Sequence, residues 1–561
     1  MDKMMTPQRV AKEYDAAIKF NNGIDLYDCV QSNENFFIGK QWEGVQSNGL
    51  PTPVFNFLKR VVLFSVANVS TDNLKLHAKP LPSSSGMNAA MVEALTNILN
   101  DQFTAIFEHN KMGSRIREFC RNAAVDADGC MYTYWDPDVE TGQDAKGAVR
   151  TEVLMNTQVM FGNPNDRTVQ SQPYILIERR MLVKEAKKLA KRNGVKDTDT
   201  IVADGKESGD NRLDELGGNK VTVILRLWRD DKTGTIHGYE CTKQAEIRRE
   251  WDLGIKLYPL VWMNWDYVQD SYHGQAMITG LIPNQIFVNK LFAMSMISLM
   301  TLAYPKVLFD KTKVAKWSNR VGAQIAVNGN VDSVAKIIDP ASISPQISQF
   351  IELAISYTQK FLGATDVALG DTRPDNTSAI IALQRAAATP MELTKQNLLQ
   401  SIEDMGRIYM EFMAEYYGTR SVEVRSPFHE NETMVIQFDF SMLKNIPCSV
   451  DLDAGAASYW SEIAAMQTLD NLLMQGKIDT IEYLKRLPAG QITDKEALIS
   501  VLQQEKQMQM MAAGMVPPEG NSGRGGAAGV VDGGNQPVRG GPGYGALQRK
   551  INQTGEVPKE G

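Results

Sequence analysis

Residues 274–303 read GQAMITGLIPNQIFVNKLFAMSMISLMTLA, and Tyr304-Pro305 follow. The run predicts one long helix, ~45 Å if unbroken at 1.5 Å per residue. Pro283 marks either its start or a kink, and Pro305 its end. Its most apolar part, LFAMSMISLMTLAY at 291–304, follows Asn289-Lys290 and includes two serines and a threonine. That stretch is shorter than the roughly 20 apolar residues of a membrane span. The expectation is a helix buried against other helices in a soluble assembly, with no membrane partner.

The sequence after this helix turns polar over 305–345. There, Lys306, Lys311, Lys313, Lys316, Arg320 and Lys336 stand against Asp310, Asp332 and Asp339. Strand candidates are 306–309 and 323–327, with a turn at Asn328-Gly329. Pro345 then opens a second helix over 346–362, closed by Gly363. The two helices bracket the small basic module like the legs of a hairpin.

Upstream, 1–270 reads as a mixed α+β region. Thr6-Pro7 starts a helix, with Val10, Tyr14, Ala17 and Ile18 at helical spacing. After a loop, Phe36-Phe37-Ile38-Gly39-Lys40-Gln41-Trp42 and Pro51/Pro53 lead into an apolar helix over 54–69. A strand at 74–78, two helices over 87–124 joined near Gly113, and a strand at 130–135 follow. Strands at 153–161 and 174–177, a short basic helix at 183–193 and a polar insertion at 195–219 come next. Residues 221–228 and 238–251 read as a β-meander around Asp230-Asp231-Lys232-Thr233-Gly234.

Downstream of the second helix lies the polar loop Gly370-Asp371-Thr372-Arg373-Pro374-Asp375-Asn376-Thr377-Ser378. A helical region over 379–417, kinked at Pro390, follows, then strands at 421–425, 434–440 and 448–452. Helices at 459–475, 481–487 and 495–511 close the periodic sequence. Residues 514–561 hold 14 of the 43 glycines and too few apolar side chains to offset ordering entropy, which predicts disorder.

Composition narrows the function classes. The chain has 561 residues, length for about three to five domains. Its 59 basic and 66 acidic residues give a net charge of −7, which excludes a uniformly basic nucleic-acid coat. Cys29, Cys120, Cys130, Cys241 and Cys448 are too few and too scattered for a disulfide framework or zinc cluster. The N-terminus lacks the apolar core of a secretory signal. Gly476-Lys477 is followed by Ile478, so there is no Walker A phosphate loop. His77, His109, His237, His273 and His429 form no metal-binding spacing. The pairs Asp126/Asp128, Asp136/Asp138 and Asp451/Asp453 have the chemistry to hold a divalent metal, yet such pairs are commoner in turns. No metal, cofactor or catalytic residue is assigned, and the chain is expected not to be an enzyme.

The order of parts resembles a tailed-bacteriophage portal protein, of the kind found in short-tailed P22-like phages. Phe36-Phe37-Ile38-Gly39-Lys40-Gln41-Trp42 resembles the early aromatic-Gly-x-Gln-Trp element of portals, and Pro53-Val54-Phe55-Asn56-Phe57-Leu58 their Pro-x-x-Asn helix start. Asp126-Ala127-Asp128-Gly129 before a strand resembles the segment preceding a wing strand. The resemblance covers roughly residues 10–510. The C-terminal helical part is short for a crown with a long barrel, and the Gly-rich tail has no family counterpart.

The resemblance implies a wing at 1–270, a first stem helix at 271–304, a clip at 305–345 and a second stem helix at 346–363. A tunnel loop at 364–378, a long wing helix with strands at 379–455, a helical crown at 456–513 and the disordered tail at 514–561 would complete the subunit. It implies a twelve-membered ring at one capsid vertex of the virion, assembled in the host bacterial cytoplasm, through which double-stranded DNA is packaged and ejected. Implied partners are the terminase large subunit, head-completion, adaptor and tail proteins, and the major capsid and scaffolding proteins. Asp371, Thr372, Arg373, Asp375 and Asn376 would line the DNA channel, and Lys306, Lys311, Lys313, Lys316 and Arg320 would serve docking at the clip. Met294, Met296, Leu299 and Met300 would pack between stem helices of neighbouring subunits. The alternatives are another head–tail adaptor or tail component, and a metal-dependent nucleic-acid enzyme built on an Asp-x-Asp pair.

Overall fold

The computed structural model describes residues 5–47, 49–70, 74–80, 89–143, 145–204, 219–303, 306–314, 316–318, 320, 322, 324–328, 330, 334–337, 346–361, 389–425, 433–446, 448–453, 459–487, 495 and 498–502. The chain divides into two units, Met1–Ile463 and Ala464–Gly561.

In the first unit, helix α1 (Pro7–Gly23) starts at the Thr-Pro signal, where Thr6 Oγ1 accepts from the Arg9 amide at 3.4 Å. A second helix, α2 (Leu26–Ile38), occupies what reads as a loop in the sequence. Its Asn and Ser content hides it, and it buries only Leu26, Asn33 and Phe37. Asn33 substitutes for an apolar anchor by donating to Val125 O at 2.9 Å and to Thr279 Oγ1 at 2.9 Å.

Helix α3 (Phe57–Val69), strand β1 (Lys75–Pro80), helices α4 (Ala89–His109) and α5 (Met112–Asp126), and strand β2 (Asp128–Asp136) follow. The break between α4 and α5 falls at Asn110-Lys111 rather than at Gly113, with Lys111 in the left-handed region at φ 52°. Strands β3 (Ala148–Leu154), β4 (Val159–Phe161) and β5 (Ile175–Leu182), helix α6 (Val183–Arg192), and strands β6 (Lys220–Arg229), β7 (Ile236–Cys241), β8 (Glu246–Asp252) and β9 (Leu260–Asn264) complete the N-terminal part.

Two antiparallel sheets organise it, one of order β4-β5-β6-β7-β8 and one of order β3-β2-β9. Alternation along the strands sends Met160, Leu176, Ile224, Tyr239 and Cys241 toward Val10 and Tyr14 of α1. Ile175, Ile177, Leu225 and Leu227 join the main core on the other side. Gly129 lets β2 lie directly on α5, since a Cβ there would meet Phe119 O at 2.8 Å.

Helix α7 (Met277–Ala303), strands β10 (Val307–Phe309) and β11 (Ala335–Ile337), and helix α8 (Gln346–Phe361) follow. Strand β10 pairs with β11, and the described residues 324–327 of the other strand candidate, 323–327, are irregular. After a 3₁₀ turn at Thr389–Met391 that contains Pro390, helix α9 (Glu392–Tyr416) runs through the core. Its Leu398, Ile402, Met405, Tyr409 and Phe412 recur at alternating four- and three-residue steps and are buried. Strands β12 (Thr419–Arg425) and β13 (Thr433–Asp439) form a hairpin. Strand β14 (Cys448–Asp453) returns to pair with β1, with Leu76 opposite Leu452.

Helix α10 (Tyr459–Met474) leads into the second unit, which contains α11 (Thr480–Arg486). Asp479 caps α11 through Thr480 N at 2.7 Å, and Tyr483 donates to Asp470 at 2.6 Å. Of the helix expected at 495–511, Lys495 and residues 498–502 are described and helical.

Candidate functional site

The site begins at the root of α7. Asp128 is fully buried at the start of β2 and accepts from His273 Nδ1 at 2.7 Å, Asn264 Nδ2 at 2.7 Å and the Gly274 amide at 2.8 Å. Three donors from β9 and the turn before α7 thus converge on one carboxylate. Gly274 is required there, because a Cβ would lie 2.5 Å from Asp266 O. Tyr272, also buried, stacks on Phe161 at 4.6 Å between ring centroids and accepts at its carbonyl from Trp262 Nε1 at 3.0 Å. These contacts fix the direction in which α7 leaves the sheet.

A polar ladder then holds the first half of α7. Gln285, fully buried, donates to Phe55 O at 2.7 Å and accepts from the Leu58 amide at 3.3 Å. It also donates to Asn289 Oδ1 at 3.0 Å, and Asn289 donates to Gln41 Oε1 at 2.6 Å. Asn56 caps α3 by accepting from Lys59 N at 3.1 Å and donates to Phe37 O at 3.0 Å, while Trp42 Nε1 donates to Pro53 O at 2.9 Å. The segments 36–42 and 53–58 therefore form one collar around the base of α7. Gln285, Asn289, Asp128 and His273 carry this arrangement and went unassigned from sequence. The signal available was two amides, Gln285 and Asn289, one helical turn apart in a largely apolar run.

Beyond the collar α7 emerges from the body of its own chain. Met294 is 60% exposed, Met296 40%, and Leu299 and Met300 55% each. Among the described residues, α7 alone is long and apolar enough to cross a membrane, with mean hydropathy 1.7 over its most apolar window and 17% of that window buried. Its first half is committed to protein through buried amides, and the uncovered half, 291–303, spans only ~20 Å against a bilayer core of ~30 Å. A protein partner fits that length better. Helix α8 packs on α7: Asn284 near the start of α7 donates to Thr358 Oγ1 near the end of α8 at 3.1 Å, so the pair is antiparallel.

The module between the helices is small. Phe309 stacks on Trp317 at 5.5 Å, and Val314 and Val334 are buried beneath. Lys306, Lys311, Lys316 and Arg320 are exposed, whereas Lys313 is half-buried and pairs with Asp310 at 3.6 Å. The Thr312 hydroxyl donates to Asp310 and holds its carboxyl below the usual range. Asp371, Thr372, Arg373, Asp375 and Asn376 lie outside the described residues, as do His429 and the tail 514–561.

The Asp-x-Asp pairs are engaged by groups of the chain itself. Asp138 receives both Arg192 guanidinium nitrogens at 2.7 and 2.8 Å, and Asp451 pairs with Lys79 at 2.8 Å. Asp126 faces Arg121, which also pairs with Glu34, and burial pushes the Asp126 carboxyl up to about 7 against the lowering effect of Arg121. Among the described residues, no group of three or more His, Cys, Asp or Glu is placed to hold a metal.

An α+β body that grips one end of a helical hairpin and leaves the other end apolar and uncovered is built as a subunit of a larger assembly. The family model described as phage P22-like portal protein matches residues 116–435, from α5 through β13 and including both helices of the hairpin. That is more than half of the chain, and the chain belongs to this family. It is a phage portal protein, a member of a structural family that forms homo-oligomeric rings at the capsid vertex in association with DNA. No curated protein matches the chain.

Proposed function

We propose that twelve copies close into a ring at one capsid vertex and that double-stranded DNA is packaged and ejected through it. Residues 1–270 and 379–455 form the wing, α7 and α8 the stem, 305–345 the clip, 364–378 the tunnel loop and 456–513 the crown. The observation that carries this reading is the emergence of α7 from a collar that grips only its first half. Cyclic symmetry brings copies of such a helix side by side and covers Met294, Met296, Leu299 and Met300 without any further protein. Methionine suits an interface that adjusts during passage of DNA, because its unbranched chain repacks readily.

A conduit must pass a polyanion without gripping it, since each neutralised phosphate adds salt-dependent affinity. The net charge of −7 is compatible with a bore that contains few cations. Arg373 of the tunnel loop touches phosphates while Asp371 and Asp375 limit the attraction. The exposed Lys306, Lys311, Lys316 and Arg320, with Lys313, form the docking face for the terminase large subunit during packaging and for head-completion, adaptor and tail proteins afterwards. The wing meets the major capsid and scaffolding proteins during assembly in the host bacterial cytoplasm.

The test replaces Arg373 with Ala and Asp371 and Asp375 with Asn in particles assembled with the full chain. DNA per particle falls while rings remain normal. Unchanged packaged DNA contradicts the tunnel-loop role.

A further inference from the structure

We propose that the loop carrying Leu50 and Pro51 belongs to the contact between neighbouring copies, and that the cleft it forms with the end of α7 receives Phe350 from helix α8 of the next copy. This rests on the ring reading above and names the partner surfaces within it.

The cleft has a volume of about 250 Å³ and is lined by Leu50, Pro51, Ile297 and Met300 together with Thr301 and Lys306. It is smaller than the ~300–1,000 Å³ of small-molecule sites and mostly apolar, which suits one large side chain. The loop is held against α7: Phe55 stacks on Phe292 with ring centroids 3.8 Å apart, and Phe55 O accepts from Gln285. Leu50 nonetheless remains 54% exposed and Met300 55%. The walls are fixed and the centre is open.

The complementary feature sits on a different helix. In α8, Ile351 and Thr358 are buried, Thr358 against α7, whereas Phe350, Leu353 and Tyr357 are 46–55% exposed. At 3.6 residues per turn, the exposed stripe lies about 120° around α8 from the buried one. No aromatic partner of Phe350 exists among the described residues. One chain thus presents an apolar cleft on α7 and an apolar projection on α8, facing different directions. Two unlike patches on one chain make a heterologous, head-to-tail contact, the kind that closes into rings.

Rotation about the ring axis preserves height, so the two patches must lie at similar levels. The antiparallel register set by Asn284 and Thr358 places Phe350 opposite Phe292. It is therefore within about two helical turns of Ile297, a gap that inclined helices span.

Two singly substituted chains, Leu50→Cys and Phe350→Cys, each carrying Cys29→Ser to remove the exposed native thiol and each bearing a different tag, are co-expressed and oxidised in air with a copper catalyst. The expected product is a disulfide-linked dimer containing both tags, absent when either variant is expressed alone or when Leu393→Cys replaces Leu50→Cys. Leu50→Glu is expected to raise the protein concentration needed for half-maximal ring formation at least tenfold, with an unchanged Tm. Rings that form without the two-tag dimer, or Leu50→Glu rings that assemble at the wild-type concentration, overturn the proposal and leave the portal reading intact. Absence of rings from the parent chain overturns both.

Discussion

Asp126 and Asp128 stand two residues apart, and the backbone sends them into opposite circumstances. Asp128 is surrounded by donors, whereas Asp126 is buried with Arg121 as its cationic neighbour and Glu34 and Asp128 adding negative charge. The folded-state pKa of Asp126, about 7, is above the ordinary value of 3.8, so the folded chain binds the proton more tightly than the unfolded one. Stability from this group is complete below about pH 4 and is lost as pH rises through 7. Asp126→Asn removes that loss, and a gain on the order of 2 kcal/mol at pH 8, shrinking toward zero near pH 4, is expected from thermal melts across pH. Asp128→Ala does the reverse. It strands His273, Asn264 and the Gly274 amide, and chemical denaturation should show a loss of ~3–5 kcal/mol. Neither role was legible in the Asp-x-Asp pattern: Asn264 and His273, which decide that of Asp128, lie 136 and 145 positions away, and that of Asp126 rests on its burial in the folded chain.

At the scale of elements, periodicity disclosed what local chemistry determines. The Thr-Pro start of α1, the strands β2 and β6 and the buried face of α9 follow from spacing and side-chain type alone. Helix α2 did not, because its anchor is a hydrogen-bonded Asn33 rather than an apolar residue. The partner of β10, the strand at 335–337, was not picked out either, since a short strand states its own extension but not what it pairs with. Pairing of β1 with β14, far apart in the sequence, is of the same kind. For α7, hydropathy disclosed the helix but not which half the chain covers; that division depends on Gln285 and Asn289 meeting a collar supplied by a distant N-terminal segment. Met296→Glu with Leu299→Glu places charge on the uncovered half. Size-exclusion chromatography should show monomers in place of rings, and the monomer's melting should change by no more than ~0.5 kcal/mol, as for exposed positions.

The whole molecule is a subunit whose parts have uneven claims to independence. Length predicted three to five domains, yet the core that includes α3, α4, α5, α9 and β2 is one continuous cluster from Phe37 to Val450. Two helices leave this body, each with an exposed apolar face. From its Gly-rich composition, 514–561 is expected to contribute no packed interface. A chain ending at residue 513 should form rings of unchanged diameter in electron micrographs, and failure to do so would assign the tail a part in assembly.

In the assembled ring, copies of the same chain are expected to cover the exposed half of α7. Negative-stain electron microscopy of the purified full-length protein tests it most directly. Closed rings with a central opening wide enough to pass duplex DNA are expected. A protein that remains monomeric at every concentration, with α7 still exposed, would contradict it.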